Sequence, residues 1–230
     1  MTGVNDIEGV AEAYSSEPWW YDARGFLILT FAYRSTLGSQ LRLFGPNVGP
    51  DHLELACGTG TLLDLVLRWR RWKSLPPGNV TGVDYADKML GGARRRFAGR
   101  AGMAFEQGDA AGLQFADECF DTVNIANAVH CFPDPDASLR EALRVLKRGG
   151  SLAANVLLFP RGAEPLRLLA ARINAWGMRK GILVTPYAEA DILERIRRAG
   201  FSIKRTQVTG NCLEVLAERP AASVTSPGSE

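Results

Sequence analysis

The feature that constrains this chain most is a glycine-containing turn between a predicted strand and a predicted helix. Residues 52–56 form a short apolar strand, Cys57-Gly58-Thr59-Gly60 follows it, and a helical pattern begins directly afterwards. Glycine adopts backbone angles that other residues resist, so such a turn lets the backbone approach a ligand closely. A Gly-x-Gly turn alone is shared by many nucleotide-binding proteins and by ordinary tight turns. The ligand must therefore be inferred from the residues that surround the turn.

Short apolar strands alternate with helical patterns along most of the chain, which predicts a parallel sheet with helices on both faces. The predicted strands cover residues 52–56, 79–83, 103–107, 120–126, 151–159, 201–208 and 212–217. The close turn Thr209-Gly210-Asn211 makes the last two strands antiparallel neighbours. The expected fold is α/β, a doubly wound, mostly parallel seven-stranded sheet with one antiparallel edge strand.

For two helices the sequence predicts further details, namely the apolar face of one and the two ends of the other. After the glycine turn, one face holds Leu62, Leu65, Val66, Trp69 and Trp72. The helix after the fourth strand is expected to begin with Asp136 as its cap and to end at Gly149-Gly150.

Three segments fall outside the regular alternation. Residues 1–48 are predicted to form an N-terminal helical cap, and residues 160–187 a substrate-side insertion within a ligand-binding domain of residues 49–218. Residues 219–230 are rich in Pro, Ser, Ala and Gly and are predicted to be a disordered tail. The formal net charge of +2 is too small to indicate a nucleic-acid partner.

Three carboxylates are predicted to line one crevice. Glu54 lies at the end of the first strand, Asp84 follows the second, and Asp109 follows the third. An acid beside the glycine turn repels phosphate but suits a cation, and Leu63 stands where a dinucleotide fingerprint requires a third glycine. These residues together favour a positively charged adenosine ligand without phosphates, with Asp84 accepting bonds from the ribose hydroxyls. Each acid taken singly also fits a role as a helix or turn cap.

The sequence resembles the class I S-adenosylmethionine (SAM) methyltransferases, in the branch of ubiquinone/menaquinone and natural-product small-molecule enzymes. The matching motifs are LELACGTG at 53–60, TGVDYADKML at 81–90, QGDA at 107–110, FDTV at 120–123 and LRVLKRGG at 143–150. The resemblance covers about half of the chain and implies a Rossmann-like methyltransferase fold, with SAM as cofactor and S-adenosylhomocysteine (SAH) as product.

The resemblance also implies roles for individual residues. The methionine amino group would be held by Glu54 and the Ala56 backbone, and the backbone near Asn127 would complete that part of the site. The expected cofactor-binding set is Glu54, Ala56, Cys57, Gly58, Gly60, Asp84, Tyr85, Met89, Asp109, Ala110, Asn127 and Tyr21. Within it, Asp84 would bind the ribose, Tyr85 and Met89 would flank the adenine, and Asp109 with the Ala110 amide would bind the adenine edge. Tyr21 or Tyr14 would close over the cofactor.

His130 is the candidate catalytic residue. It follows the fourth strand, beside the expected position of the sulfur, and its ordinary pKa near ~6.5 suits proton transfer. It could instead order the loop or contact the cofactor. Cys57 is expected to be a small packing residue rather than a nucleophile. The four cysteines show no CxxC spacing, so no metal site or disulfide framework is predicted, and reduced thiols in the cytoplasm are expected.

The predicted acceptor is a hydrophobic small molecule, and methyl transfer to its O, N or C atom is the leading function. Apolar and aromatic residues in the two segments outside the alternation favour such an acceptor, although they could also only pack on the sheet. A quinone or a lipid headgroup is the alternative acceptor. The basic and aromatic segments 68–73 and 160–187 would permit peripheral membrane contact, or they are solvated helix faces. A SAM-binding protein or cyclase that transfers no methyl group is a further alternative.

Overall fold

The computed structural model describes residues 35–221, and these form one seven-stranded sheet with helices on both faces. The strands are β1 (Asp51–Leu55), β2 (Asn79–Asp84), β3 (Met103–Gln107), β4 (Phe120–Ile125), β5 (Leu146–Leu157), β6 (Ser202–Thr209) and β7 (Cys212–Glu218). The helices are α1 (Leu37–Phe44), α2 (Thr61–Trp72), α3 (Asp87–Arg96), α4 (Pro135–Val145), α5 (Leu166–Arg179) and α6 (Glu189–Arg198), with a 3₁₀ turn at Val129–Cys131.

The strand order is β3-β2-β1-β4-β5-β7-β6, and the expected fold is confirmed. The strands from β3 to β5 pair in parallel, whereas β7 is antiparallel to both of its neighbours and lies next to the edge strand β6. Because β1 leads to β2 on one side while β4 lies on the other, the chain direction across the sheet reverses at β1. Ligands of open α/β sheets bind at the carboxyl ends of the strands at such a reversal.

Two apolar layers hold the helices to the sheet. One face of β5, with Leu152, Ala154 and Val156, packs in a cluster with Leu139 of α4 and Ile192 of α6. The opposite face packs through a second cluster that includes Phe44 of α1, Val66 of α2 and Ala153 of β5. Helix α1 therefore covers the sheet beside the crevice.

The buried face of α2 differs from the predicted one. In α2, Val66 is buried as expected, but Leu63 is buried and Trp72 is 73% exposed. Arg70 is buried as well, because its guanidinium donates to the carbonyls of Gly45 and Pro76, both at 2.6 Å. Burial lowers the pKa of Arg70.

The cap of α4 is Asp134, not Asp136. The Asp134 carboxylate accepts from the Ala137 amide at 2.8 Å, and Pro135 occupies the first helical position, where the missing amide hydrogen costs nothing. Asp136 instead pairs with Arg195 of α6. The helix ends at Val145, before the two glycines, because β5 already begins at Leu146.

Arg219, the first residue of the predicted tail, is bonded to the domain. Arg219 exchanges backbone hydrogen bonds with Gly149 and Gly150 at 2.9 Å, and its guanidinium donates to the carbonyl oxygens of Leu143, Arg144 and Leu146. The packed domain therefore includes Arg219, while residues 222–230 and most of the predicted cap, residues 1–34, lie outside the described residues. Within residues 35–221, no helix is both long and apolar enough to cross a bilayer.

Candidate cofactor site

The glycine turn adopts the left-handed backbone geometry that its sequence predicts. Ala56, Gly58 and Gly60 have φ values of 58°, 55° and 70°. The turn is tied to β2 by the bond from the Cys57 amide to the Val83 carbonyl, at 3.0 Å. A Cβ at Gly60 would lie 2.7 Å from the Phe97 ring, whereas a Cβ at Gly58 would meet nothing within 4 Å. The backbone at Gly58 therefore borders open space, as a cofactor cradle requires.

Asp84 connects the end of β2 to this turn. One of its carboxylate oxygens accepts from the Gly58 amide at 2.7 Å, and the other accepts from the Ala86 amide at 2.9 Å. Burial raises the pKa of Asp84, and the hydrogen bonds from Ala86, Gly58 and Tyr85 oppose that rise. A carboxylate can accept about four hydrogen bonds in total, so each oxygen retains capacity for a hydroxyl group.

Glu54 is buried at the end of β1, with 4% of its surface exposed. Its Oε2 contacts His52 Nε2 at 3.2 Å and accepts from Asn124 Nδ2 at 3.3 Å. Within residues 35–221 no lysine or arginine forms an ion pair with this carboxylate. A buried carboxylate without a lysine or arginine partner is suited to a cationic ligand, because such a ligand can supply a counter-charge.

His52 is a residue that the sequence reasoning did not single out. Its ring is fully buried, and Nδ1 lies 2.8 Å from Thr122 Oγ1, which also accepts from the Gly49 amide at 2.8 Å. Because the Glu54 carboxylate only accepts, a neutral His52 ring must carry its proton on Nε2. The Thr122 hydroxyl then donates to Nδ1, and a relay runs from Gly49 through Thr122 and His52 to Glu54.

Asp109 lies beside the end of β2, because the preceding Gly108 amide donates to the Asp84 carbonyl at 3.1 Å. Its own carboxylate accepts from the Ala111 amide at 2.9 Å in a tight turn. Ala110 is half-buried within the same turn. The capping role considered for Asp109 is thus present, and its position at the carboxyl edge agrees with a ligand role as well.

Two residues expected to flank an adenine differ in exposure. Tyr85 is half-buried at the rim of the site, whereas Met89 is only 1% exposed. Met89 therefore lies beneath the surface of the crevice in this structure.

Cys57 lies between the two principal acids. Burial raises the pKa of its thiol well above the usual range, and the charges of Asp84 and Glu54 raise it further. The thiol is consequently protonated at neutral pH and is a poor nucleophile. The expectation of a packing residue agrees with this environment.

Asn127 takes a left-handed conformation, with φ of 55°, directly after β4. Its amide donates to Asn155 Oδ1 at 2.5 Å, Asn155 Nδ2 donates back to Asn127 Oδ1 at 2.6 Å, and Asn127 Nδ2 donates to Gln40 Oε1 at 3.2 Å. Sequence reasoning missed Gln40 and Asn155. The signal for Asn155 in the sequence is a polar residue inside the otherwise apolar run of residues 152–159.

His130 is buried, with 2% of its surface exposed, and its Nδ1 accepts from the Leu157 amide at 3.3 Å. Burial lowers its pKa from 6.5 to about 3. Its own carbonyl accepts from the amides of Val184 and Thr185, in the insertion. A base with such a low pKa gains little by taking a proton near neutral pH, so these features favour the loop-ordering interpretation.

The structure thus brings Glu54, the glycine turn, Asp84, Asp109 and Asn127 to the carboxyl edge of neighbouring strands. Tyr21 lies outside the described residues.

Comparison with known proteins agrees with this geometry. Residues 53–154 match the family model described as a methyltransferase domain. The chain is 32% identical to a ubiquinone/menaquinone biosynthesis C-methyltransferase UbiE of Desulfotalea psychrophila over 65% of this chain and 64% of that protein, just under two thirds of its length. It is also 32% identical to a UbiE of Pseudomonas putida strain GB-1, over 79% of this chain and 70% of that protein.

The chain belongs to the class I SAM-dependent methyltransferases. A solved structure supports the fold alone: the methyltransferase of Haloferax volcanii in complex with the Trm112 methyltransferase activator matches with a TM-score of 0.66 at 20% identity. That match covers 89% of this chain and 97% of the archaeal one.

SAM is the cofactor that this family and fold imply, and the residues present fit it. Glu54 offers a buried negative charge for the methionine ammonium, Asp84 offers acceptor capacity for the ribose, and the backbone at Gly58 leaves room beside both.

Proposed function

We propose that this protein transfers the methyl group of SAM to a hydrophobic small molecule. The observation that carries the proposal is the pair of carboxylates, the buried Glu54 and the half-buried Asp84, on either side of the turn at Gly58. When bound, SAM supplies a methyl group on a positively charged sulfur. Charge is dispersed during such a displacement, so the protein mainly has to align the reactants and exclude water.

We assign a role to each of the two carboxylates from its contacts. Glu54, kept in place by His52 and Asn124, binds the methionine ammonium together with the Ala56 backbone. Asp84 binds the ribose hydroxyls through the capacity left by Gly58 and Ala86.

At the adenine, Asp109 and the Ala110 amide bind the edge of the base, and Tyr85 lies against its face. Asn127 positions the backbone near the sulfur. Tyr21 closes over the cofactor, and His130 holds the loop that follows β4 against the insertion.

The acceptor class that we propose is a reduced quinone. Both relatives compared above carry names of quinone C-methyltransferases, and the apolar residues that surround the carboxyl end of β5 suit an aromatic ring with an alkyl tail. Other hydrophobic biosynthetic intermediates, the wider class favoured by the sequence, would meet the same surroundings.

Transfer of a labelled methyl group tests the proposal. Purified protein is incubated with methyl-labelled SAM and a short-chain demethylmenaquinol, and the organic phase is analysed for labelled product. Label in the ring-methylated quinol supports the proposal, and Glu54→Gln should abolish most of that signal. If SAH binds but no acceptor in a panel of quinols, phenols and lipids takes up label, the non-methylating alternative replaces the proposal.

A further inference from the structure

Glu214 is a buried carboxylate outside the cofactor site. It lies in the middle of β7, with Asn155 of β5 and Gln207 of β6 as its neighbours across the sheet. Only 5% of its surface is exposed, and its Oε1 is fully buried. Among residues 35–221, no donor lies within hydrogen-bonding distance of that oxygen.

Within the described part of the chain, residues 35–221, no lysine, arginine or histidine forms an ion pair with Glu214. Cys212 precedes it on the same face of β7 and belongs to a small apolar cluster with Leu157 and Leu183. Leu216 follows it on that face and packs with the cluster that includes Phe44 of α1. A carboxylate between two apolar clusters is expensive to bury without partners, so its presence indicates a role other than packing.

Glu214 is connected to the cofactor site through one residue. Asn155, its neighbour on β5, exchanges two hydrogen bonds with Asn127, which lies beside the expected sulfur position. Neighbouring strands are about 4.8 Å apart, so β7 lies roughly 10 Å from β4 across β5. An acceptor placed over β5 could contact both the reacting methyl group and Glu214.

We propose that Glu214 accepts a hydrogen bond from a hydroxyl group of the acceptor and so fixes which ring atom faces the methyl group. This inference rests on the proposed function and narrows its substrate to hydroxyl-bearing rings. A carboxylate has acceptors only, and the apolar clusters on both sides of it match the ring that carries the hydroxyl. The same hydroxyl is present on a quinol and absent from the oxidised quinone.

Thermal unfolding of the protein without ligand tests the unpartnered state of Glu214. Glu214→Gln removes a buried charge at nearly constant shape, and we expect the Tm to rise by roughly 2–4 °C. Glu218→Gln is the matched control, since Glu218 lies on the same strand but its side chain is 41% exposed and paired with Lys204 at 2.7 Å. It should leave the Tm within about one degree. A fall in Tm for Glu214→Gln would mean that another part of the chain partners this carboxylate, and would overturn the inference.

Steady-state kinetics with the short-chain demethylmenaquinol test the contact itself. Glu214→Gln should raise the KM for the quinol at least tenfold while the affinity for SAH, measured by calorimetry, stays within twofold. Unchanged KM in an active Glu214→Gln enzyme would overturn the inference and leave the proposed function intact. If the wild type binds SAH but methylates no hydroxyl-bearing ring, the quinol assignment and this inference fail together, and a rise in Tm would not rescue them.

Discussion

The hydrogen-bond relay from Gly49 through Thr122 and His52 to Glu54 can be interrupted at Thr122, without changing a residue that is proposed to bind the cofactor. Thr122→Val removes the hydroxyl that accepts from the Gly49 amide and that donates to His52 Nδ1, while keeping nearly the same shape. The His52 ring then loses the bond that holds its proton on Nε2, next to Glu54. The substitution therefore acts on the carboxylate from two residues away.

The expected loss follows from one hydrogen bond. A bond of this type contributes about 1 kcal/mol, so the affinity for SAH should fall about fivefold. Stability should fall by about 1–3 kcal/mol, because the Gly49 amide loses its acceptor. Thr122→Ser keeps the hydroxyl and is the matched control, with SAH affinity expected to stay within twofold of the wild type.

Calorimetry with two ligands isolates the effect at Glu54. SAH carries the amino acid that Glu54 is proposed to bind, whereas 5′-methylthioadenosine has the same nucleoside and thioether without it. Thr122→Val should weaken SAH and leave methylthioadenosine unchanged. In a Glu54→Gln background the same substitution should have no further effect on SAH.

Equal weakening of the two ligands would mean that Thr122→Val distorts the whole site. Unchanged affinity for both ligands would mean that the relay does not hold Glu54. Either result would refute the reasoning.

Three further predictions concern the turn, the buried histidine and the ribose contact. Ala56→Gly should stabilise the protein by about 0.5–1 kcal/mol in urea unfolding, because Ala56 has φ of 58°, while Gly58→Ala should cost about 1 kcal/mol; stabilities that move the opposite way would contradict the strain argument. Since the pKa of His130 is depressed from 6.5 to about 3, the unfolded chain takes up that proton first, so stability is full above pH 6.5 and falls below it. By pH 5 the wild type should have lost about 2 kcal/mol of its high-pH stability that His130→Gln does not lose, and parallel pH profiles would refute this. His130→Gln should also keep turnover within threefold, and a loss above about 100-fold at unchanged SAH affinity would restore the role of general base. Asp84→Ala should weaken SAH at least tenfold by calorimetry, about 1.4 kcal/mol, and unchanged affinity would remove the ribose assignment.

The fold could be predicted because each strand and turn is specified by residues that are close together in the sequence. Each strand is a short apolar run bounded by turn residues, and the turn at Gly210 makes β6 and β7 neighbours. Details that depend on tertiary contacts were wrong. Trp72 is apolar yet exposed beyond the end of the packed face. Asp134 caps α4, whereas the predicted cap, Asp136, pairs with α6.

The site also contains residues that the sequence could predict and residues that it could not. Glu54, Asp84 and Asp109 could be placed together because the ends of parallel strands meet at one edge of a sheet. The polar residues behind them could not be predicted, since His52 finds Thr122 seventy positions away and Asn127 finds Gln40 eighty-seven positions away. That Glu214 Oε1 has no hydrogen-bond partner among residues 35–221 follows only from the packing around it.

A crystal structure of the protein with SAH bound tests the central claim most directly. The account predicts the amino group of SAH within hydrogen-bonding distance of Glu54, the ribose hydroxyls on Asp84, and the backbone of Gly58 beside the ligand. SAH bound elsewhere on the sheet, or bound here with neither carboxylate in contact, would contradict the account.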